Sequence, residues 1–327
     1  MSEQTLEDSA AKIPKNLGRW LLLAVIAGIA IYLVLSIYAD IGSVAQAFTE
    51  FKWGYIPLIL FLTLMNYFLR FAKWDYYLRR IKIRVSTKDS MAVFLSGLTM
   101  SITPAKLGEV FKSYILKRLN GTGISQSIPI VFAERATDVI GLLILAAISF
   151  SAFQYGWEVL IIILAVLVPM IIIIQSRRLS FKLLDIFRKV PLINRFTGNI
   201  KEAYEGAYIL FRPKPLAIAI VISVVSWGFE CLALYFVLLG FGIDASVLLS
   251  TFVFSFSSLA GTVSMIPGGL LVAEGSFTGL LVLAGVAKAL AASSTVVIRF
   301  CTLWFGVMIG LVTLYLIRGR LVREHRA

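Results

Sequence analysis

Six stretches of this chain stay apolar for as long as an α-helix needs to cross a bilayer: Trp20 to Ala39, Gly54 to Phe71, Ile128 to Phe153, Val159 to Gln175, Leu216 to Leu239 and Ala289 to Ile317. About 30 Å of hydrocarbon requires roughly 20 residues at about 1.5 Å each. In lipid every backbone N–H and C=O must be satisfied within the protein, so such runs are helices and the fold class is an all-α polytopic membrane protein. Composition agrees: 59% of the 327 residues are hydrophobic and only 15% charged, where a soluble domain carries about a quarter charged residues. Met1 to Asn16 is polar. The run after it is longer than the apolar core of a cleavable signal, so it reads as a retained first span.

Two further regions are apolar but interrupted by proline. Met91 to Leu119 breaks at Thr103-Pro104, and Val247 to Leu283 breaks at Pro267-Gly268-Gly269. The first has about a dozen apolar residues before its break, which favours a re-entrant hairpin over a crossing. The second is long enough for either. The expected architecture is six full spans plus two proline-broken re-entrant hairpins, or eight or more crossings. A hairpin and a pair of crossings both return the chain to the side it left, so orientation does not depend on the choice. With N-terminus and C-terminus both cytoplasmic, all but four of the 31 Lys and Arg fall on the cytoplasmic side. The four are Lys52 and Lys288 outside, and Arg135 and Arg299 within spans. The net charge of +13 is then mostly topological, and the expected partner is lipid, with no nucleic acid.

This orientation opens the two hairpins from opposite faces, as an inverted repeat would. Pro104 lies five residues before Glu109 and 31 before Arg135, while Pro267 lies seven before Glu274 and 32 before Arg299. The expected organisation is a cytoplasmic tail over 1–19, one integral-membrane unit over 20–317 and a basic cytoplasmic tail over 318–327. Between the fourth and fifth spans, Leu179, Leu183, Ile186, Phe187 and Val190 recur at helical spacing. The pattern resumes after Pro191, so 179–212 reads either as an interfacial amphipathic segment on the cytoplasmic leaflet or as helices packed on the protein itself.

Charge inside a span is the feature that carries chemistry. Each such group costs about 2.5–3.5 kcal/mol at a helix centre on insertion scales, and so faces a partner or a wet cavity. Here they are Glu134, Arg135 and Asp138 on the third span, Glu230 on the fifth and Arg299 on the last. Spacings of three and four place the first three on one helix face, as a packing network or as a site. At the first break, Thr followed by Pro104 suits a cap and first turn. A half-helix starting there, with Gly108 near its tip and Lys106 and Lys112 nearby, suits a phosphate. Pro267, Gly268 and Gly269 aim a second half-helix from the other side. Glu109 and Glu274 fall in the early turns, where the helix dipole favours carboxylates, within reach of Arg135 or Arg299.

Other chemistries lack residues. The only histidine is His325 in the tail, which leaves no histidine triad or multi-histidine metal site in the membrane. Cys231 and Cys301 lie in apolar runs and read as small hydrophobes. No phosphate loop or dinucleotide fingerprint appears, so no cofactor is expected.

At the two breaks the chain resembles a known family. Thr103-Pro104-Ala105-Lys106-Leu107-Gly108-Glu109, then Leu116-Lys117-Arg118, Glu134-Arg135 with Asp138, and Ile266-Pro267-Gly268-Gly269 with Glu274-Gly275 and Arg299 resemble the lysylphosphatidylglycerol synthase transmembrane-domain family of flippase-like proteins. Ala105-Lys106 departs from the small or arginine residues common there. The resemblance implies translocation of a phosphate-bearing lipid, either an aminoacylated phospholipid or a polyprenyl-phosphate-linked sugar, in the cytoplasmic membrane of a prokaryote. It implies a stand-alone flippase or scramblase and not an enzyme, working beside a glycosyltransferase or lipid synthetase. Phosphate would meet Lys106, Arg135 and Arg299, while Glu109, Glu134, Asp138, Glu230 and Glu274 balance charge or relay protons. The rival readings are a membrane-embedded lipid-modifying transferase and a secondary transporter of a small solute.

Overall fold

The computed structural model describes residues 17–102, 110–150, 157–180, 197–264 and 266–323. Thirteen α-helices have their bounds among them. α1 (Leu17–Tyr38) and α2 (Ile41–Glu50) precede a first set: α3 (Ile56–Arg80), α4 (Thr87–Leu98), α5 (Phe111–Asn120) and α6 (Ile124–Ser149). α7 (Trp157–Gln175) and α8 (Thr197–Leu210) lead to a second: α9 (Pro213–Gly240), α10 (Val247–Val263), α11 (Val272–Leu283), α12 (Lys288–Arg299) and α13 (Phe305–Arg323). A π-helical turn, Phe300–Trp304, joins the last two.

The same local signals build both sets in the same order. α3 and α9 each carry proline in the first turn, where its missing N–H costs nothing. Each ends with a residue in the left-handed region, Lys82 (φ 62°) and Gly242 (φ 72°). Beside them the Ile83 N–H donates to the Leu78 carbonyl at 2.9 Å and the Ile243 N–H to the Leu238 carbonyl at 3.0 Å, the bond of a Schellman turn. Ser86 then caps α4 by accepting from the Asp89 N–H, and Ser246 caps α10 by accepting from the Leu249 N–H. After each break, Gly121 (φ 74°) ends α5 and Gly285 (φ 89°) follows α11.

The sets are inverted. The Lys52 N–H donates to the Gly240 carbonyl at 2.9 Å, Asn66 Nδ2 to the Ser226 carbonyl at 2.8 Å and Lys73 Nζ to Ser223 Oγ at 2.7 Å, so α3 and α9 run antiparallel. Asn66 and Ser226 stand 160 residues apart, the same interval that separates Lys82 from Gly242 and Ser86 from Ser246. Equivalent residues of two repeats touch only where a two-fold axis passes between them. The axis therefore crosses α3 and α9 at Asn66 and Ser226, perpendicular to both, which for two membrane-crossing helices is the membrane plane. The remaining packing is reciprocal, with α6 against α10 and α13 against α4. The inverted repeat suggested by the spacing of the two prolines is present.

Among the described residues three helices are long and apolar enough to cross a membrane by themselves, Trp53–Arg80, Pro213–Gly240 and Lys288–Gly319, and a fourth if α1 and α2, bent by 100°, count as one. Six were expected. α6 carries Glu134, Arg135 and Asp138 across its middle, and the apolar part of α7, Ile161–Gln175, is shorter. Exposed Ile37, Val166 and Leu316 make the perimeter one for lipid rather than water. The two broken regions are hairpins of short helices. At about 1.5 Å per residue, α4 and α5, with 12 and 10 residues, reach about 18 and 15 Å, half of a bilayer core. α10 and α11, with 17 and 12 residues, reach about 25 and 18 Å.

The rest of the first break, 103–109, lies outside the described residues, as do 1–16 of the N-terminal tail, 181–196 of the expected amphipathic segment and 324–327 of the C-terminal tail. The described remainder of that segment, α8, lies against α6. Gln126 Nε2 donates to Glu202 Oε1 at 2.9 Å and Ser125 Oγ to Glu202 Oε2, so this helix is docked on the protein itself.

Candidate functional site

A cavity of about 100 Å³ lies beside the pseudo-two-fold axis, where both hairpins end. That is room for several waters or one small polar group. Its walls are equivalent residues of the two repeats. Tyr67 on α3 faces Trp227 on α9, and one helical turn further on Arg70 is matched by Glu230. Ser101, at the end of α4, is matched by Gly261 of α10, and Arg135 of α6 by Arg299 of α12. Gly268 and Gly269 close the second hairpin over it. Both have positive φ, 64° and 65°, which glycine adopts without penalty. A Cβ on Gly269 would also lie 2.9 Å from the Gly261 Cα, so the turn fits only with glycine.

Behind the walls, charge is compensated at short range. Arg299 Nε donates to Glu274 Oε1 at 2.7 Å and its Nη2 to the Gly268 carbonyl at 2.8 Å, tying α12 to the break. Arg135 Nη2 lies 3.3 Å from Asp138 Oδ2. The other oxygen of Asp138 accepts from Lys73 Nζ at 2.5 Å, and Lys73 also donates to Thr137 Oγ1 at 3.3 Å. Arg70 Nη2 stands 3.9 Å from Asp138 Oδ2. Farther from the cavity, Lys112 Nζ donates to Glu134 Oε2 at 2.9 Å and lies over the rings of Trp74 and Phe94 at 5.0 and 5.2 Å.

This geometry sorts the residues singled out from sequence. Arg135, Glu230, Arg299, Gly268 and Gly269 line the cavity. Asp138 and Glu274 stand directly behind Arg135 and Arg299, and Pro267 opens the 3₁₀ turn of the second break. Pro104, Lys106, Gly108 and Glu109 lie outside the described residues. Lys112 and Glu134 are corrected: they do not line the cavity but form a closed pair in a pocket of aromatic rings, with Lys112 2% exposed. The shared face of Glu134 and Asp138 does not make them partners of each other, because each meets a lysine from another helix.

Two residues went unseen in the sequence, Arg70 and Lys73. Arg70 falls at the end of the Gly54–Phe71 run and Lys73 just past it, so the sequence places both on the cytoplasmic side; α3 continues to Arg80 and both side chains are buried. The clue was helical spacing, since Asn66, Arg70, Lys73 and Tyr77 form one stripe of α3. The charged members of the Lys73–Asp138 and Lys112–Glu134 pairs all come from the first repeat, with Ser223 of α9 joining them through Lys73. The positions equivalent to Lys73, Glu134 and Asp138 are Ala233, Ile298 and Thr302. Among the described residues no group of three or more His, Cys, Asp or Glu is placed to hold a metal ion.

With three guanidinium groups against one carboxylate among the described residues of its walls, the cavity suits an anion. An inverted repeat of broken hairpins around a charged central cavity defines a multi-pass helical membrane protein with an internal polar site. Residues 25–310 match the family described as "Lysylphosphatidylglycerol synthase TM region", and the chain belongs to that family, whose work concerns membrane lipid. It is similar to a "UPF0104 membrane protein" of Methanothermobacter thermautotrophicus, at 27% identity over 91% of this chain and 94% of the relative. It is likewise similar to a UPF0104 membrane protein of Pyrococcus horikoshii, at 26% identity over 88% and 94%, and to one of Methanocaldococcus jannaschii, at 26% over 68% and 96%.

Proposed function

We propose that this protein is a lipid flippase or scramblase: a phosphate-bearing headgroup passes through the cavity between the two hairpins while the acyl or prenyl chains stay in the bilayer. The observation that carries the reading is the set of Arg70, Arg135 and Arg299 around a cavity lined by Ser101 at the end of α4 and by Gly268 and Gly269 of the second break. A phosphate in hydrocarbon needs charged donors to replace its water, and arginine presents its N–H groups as a planar fork. The headgroup is a polyprenyl-phosphate-linked sugar or an aminoacylated or plain phospholipid, supplied or used by a glycosyltransferase or lipid synthetase. The setting is the cytoplasmic membrane of a prokaryote, with both termini cytoplasmic, as the basic residues favour.

The test is headgroup translocation in liposomes holding the purified protein, with Arg135→Ala and Arg299→Ala combined. The expected result is loss of translocation in the double variant. Unchanged rates would refute the role given to the arginines.

A further inference from the structure

The three cavity arginines are not equally committed. Arg299 is held along both edges of its fork, by Glu274 and by the Gly268 carbonyl. Arg135 has the Asp138 carboxylate at 3.3 Å. Arg70 reaches Oδ2 of that carboxylate only at 3.9 Å, too far for a hydrogen bond, while Lys73 holds the other oxygen, Oδ1, at 2.5 Å. The Nε of Arg70 is buried with no acceptor among the described residues, and the guanidinium lies 5.3 Å over the Trp227 ring. On α9, the position equivalent to Arg70 holds Glu230, so the cavity offers this cation from one wall only. Glu230 forms no ion pair among the described residues, and its Oε2 is buried without a partner.

We propose that Arg70, backed by the Trp227 indole, is the anion-binding residue of the cavity and takes two oxygens of a phosphate group, while Arg135 and Arg299 hold the walls. This rests on the reading of the cavity as a phosphate-headgroup site and names the side chain that does the recognising. A guanidinium fork matches two phosphate oxygens, and an aromatic face beneath it fixes its plane. Lysine offers a point charge without that fit. The under-satisfied Nε and a carboxylate held beyond hydrogen-bond distance make Arg70 the arginine that can turn to a ligand without breaking a hydrogen bond.

The experiment uses the full-length protein in a non-ionic detergent with two probes, inorganic phosphate and dioleoyl phosphatidic acid, read by the ligand-dependent rise in melting temperature and by tryptophan fluorescence. Arg70→Gln and Arg70→Lys are each expected to weaken binding of whichever probe the wild type takes by ten-fold or more. Lys112→Met, away from the cavity lining, is expected to lower the melting temperature of the free protein while affinity stays within about three-fold. Where the Arg70 variants fail to fold, Trp227→Leu keeps every charge and is expected to weaken binding about five-fold. Binding of phosphatidic acid alone identifies the source as a lipid headgroup, and binding of both probes a site for the phosphate itself; loss in the Arg70 variants supports the assignment in either case. Arg70→Gln within two-fold of wild type, Trp227→Leu unchanged, or a wild type that binds neither probe would overturn it. Phosphate binding through Arg70 with no lipid moved in liposomes would leave the assignment standing and remove the flippase reading.

Discussion

Replacing Lys112 by methionine removes a charge whose partner cannot leave. Lys112 and Glu134 are 3% and 1% exposed at their side chains and 2.9 Å apart. At that distance and an effective dielectric of about 20, the attraction is about 6 kcal/mol. What unfolding registers is smaller, because the pair was desolvated to form. Breaking a buried pair from one side typically costs about 3–5 kcal/mol, most of it from the uncompensated charge left behind. The second oxygen of Glu134, Oε1, already has no partner among the described residues, so local rearrangement has little to offer. The Lys112 ammonium also lies over Trp74 and Phe94, an interaction worth about 2 kcal/mol when desolvated and replaced in part by methionine packing on the same rings. Lys112→Met is therefore expected to lower stability by about 3–5 kcal/mol, a melting shift on the order of 10 °C. Lys112→Met combined with Glu134→Leu should recover all but about 1 kcal/mol. Thermal unfolding of the four proteins in one detergent closes the cycle. A single variant that melts with the wild type, or a double variant no better than the single, would refute the account of a closed structural pair.

Gly269→Ala should destabilise by about 2–3 kcal/mol, since it strains a positive φ and presses a Cβ against Gly261; the same melts check it. At Leu271 the direction reverses: it holds φ 74° with an exposed side chain, so Leu271→Gly should raise stability by about 1 kcal/mol. Asn66→Leu removes the bond to the Ser226 carbonyl on the pseudo-axis and should cost about 1 kcal/mol, with faster amide exchange along α9 as the second readout. Trp304→Phe deletes the 2.9 Å bond from Trp304 Nε1 to Tyr32 Oη that ties α1 to the second repeat, and faster limited proteolysis ahead of residue 40 is the expected result.

Helix existence was legible because apolar runs and proline breaks are local signals. Both hairpins fall where Pro267 and the Thr103-Pro104 pair interrupt apolar sequence. Pairing was not legible, because it depends on what other helices bring. Glu134 and Asp138 could be placed on one face of α6, but nothing in their spacing says that Lys112 arrives from α5 and Lys73 from α3. For Glu274 the alternatives were Arg135 and Arg299, and only the fold of the second hairpin selects Arg299. Arg70 and Lys73 were misjudged for a physical reason. A basic residue just past an apolar run looks the same whether it anchors a helix end in the headgroups or continues a buried stripe, and the difference lies in the antiparallel α9 laid over that stripe.

The meeting of the two hairpins has a consequence for the membrane as an electrical barrier. A Cβ on Gly268 would lie 3.5 Å from the Ile102 Cα, so the backbone of the second break rests against the end of the first hairpin's leading arm, beside a cavity that can hold several waters. Among the described residues, the barrier along that line is the contact of Ile102 with Gly268, a branched alkyl side chain against a glycine. On the proposed reading, a headgroup taking this route would have to part Ile102 from Gly268, and the area opened at that contact would set how much current escapes with each passage.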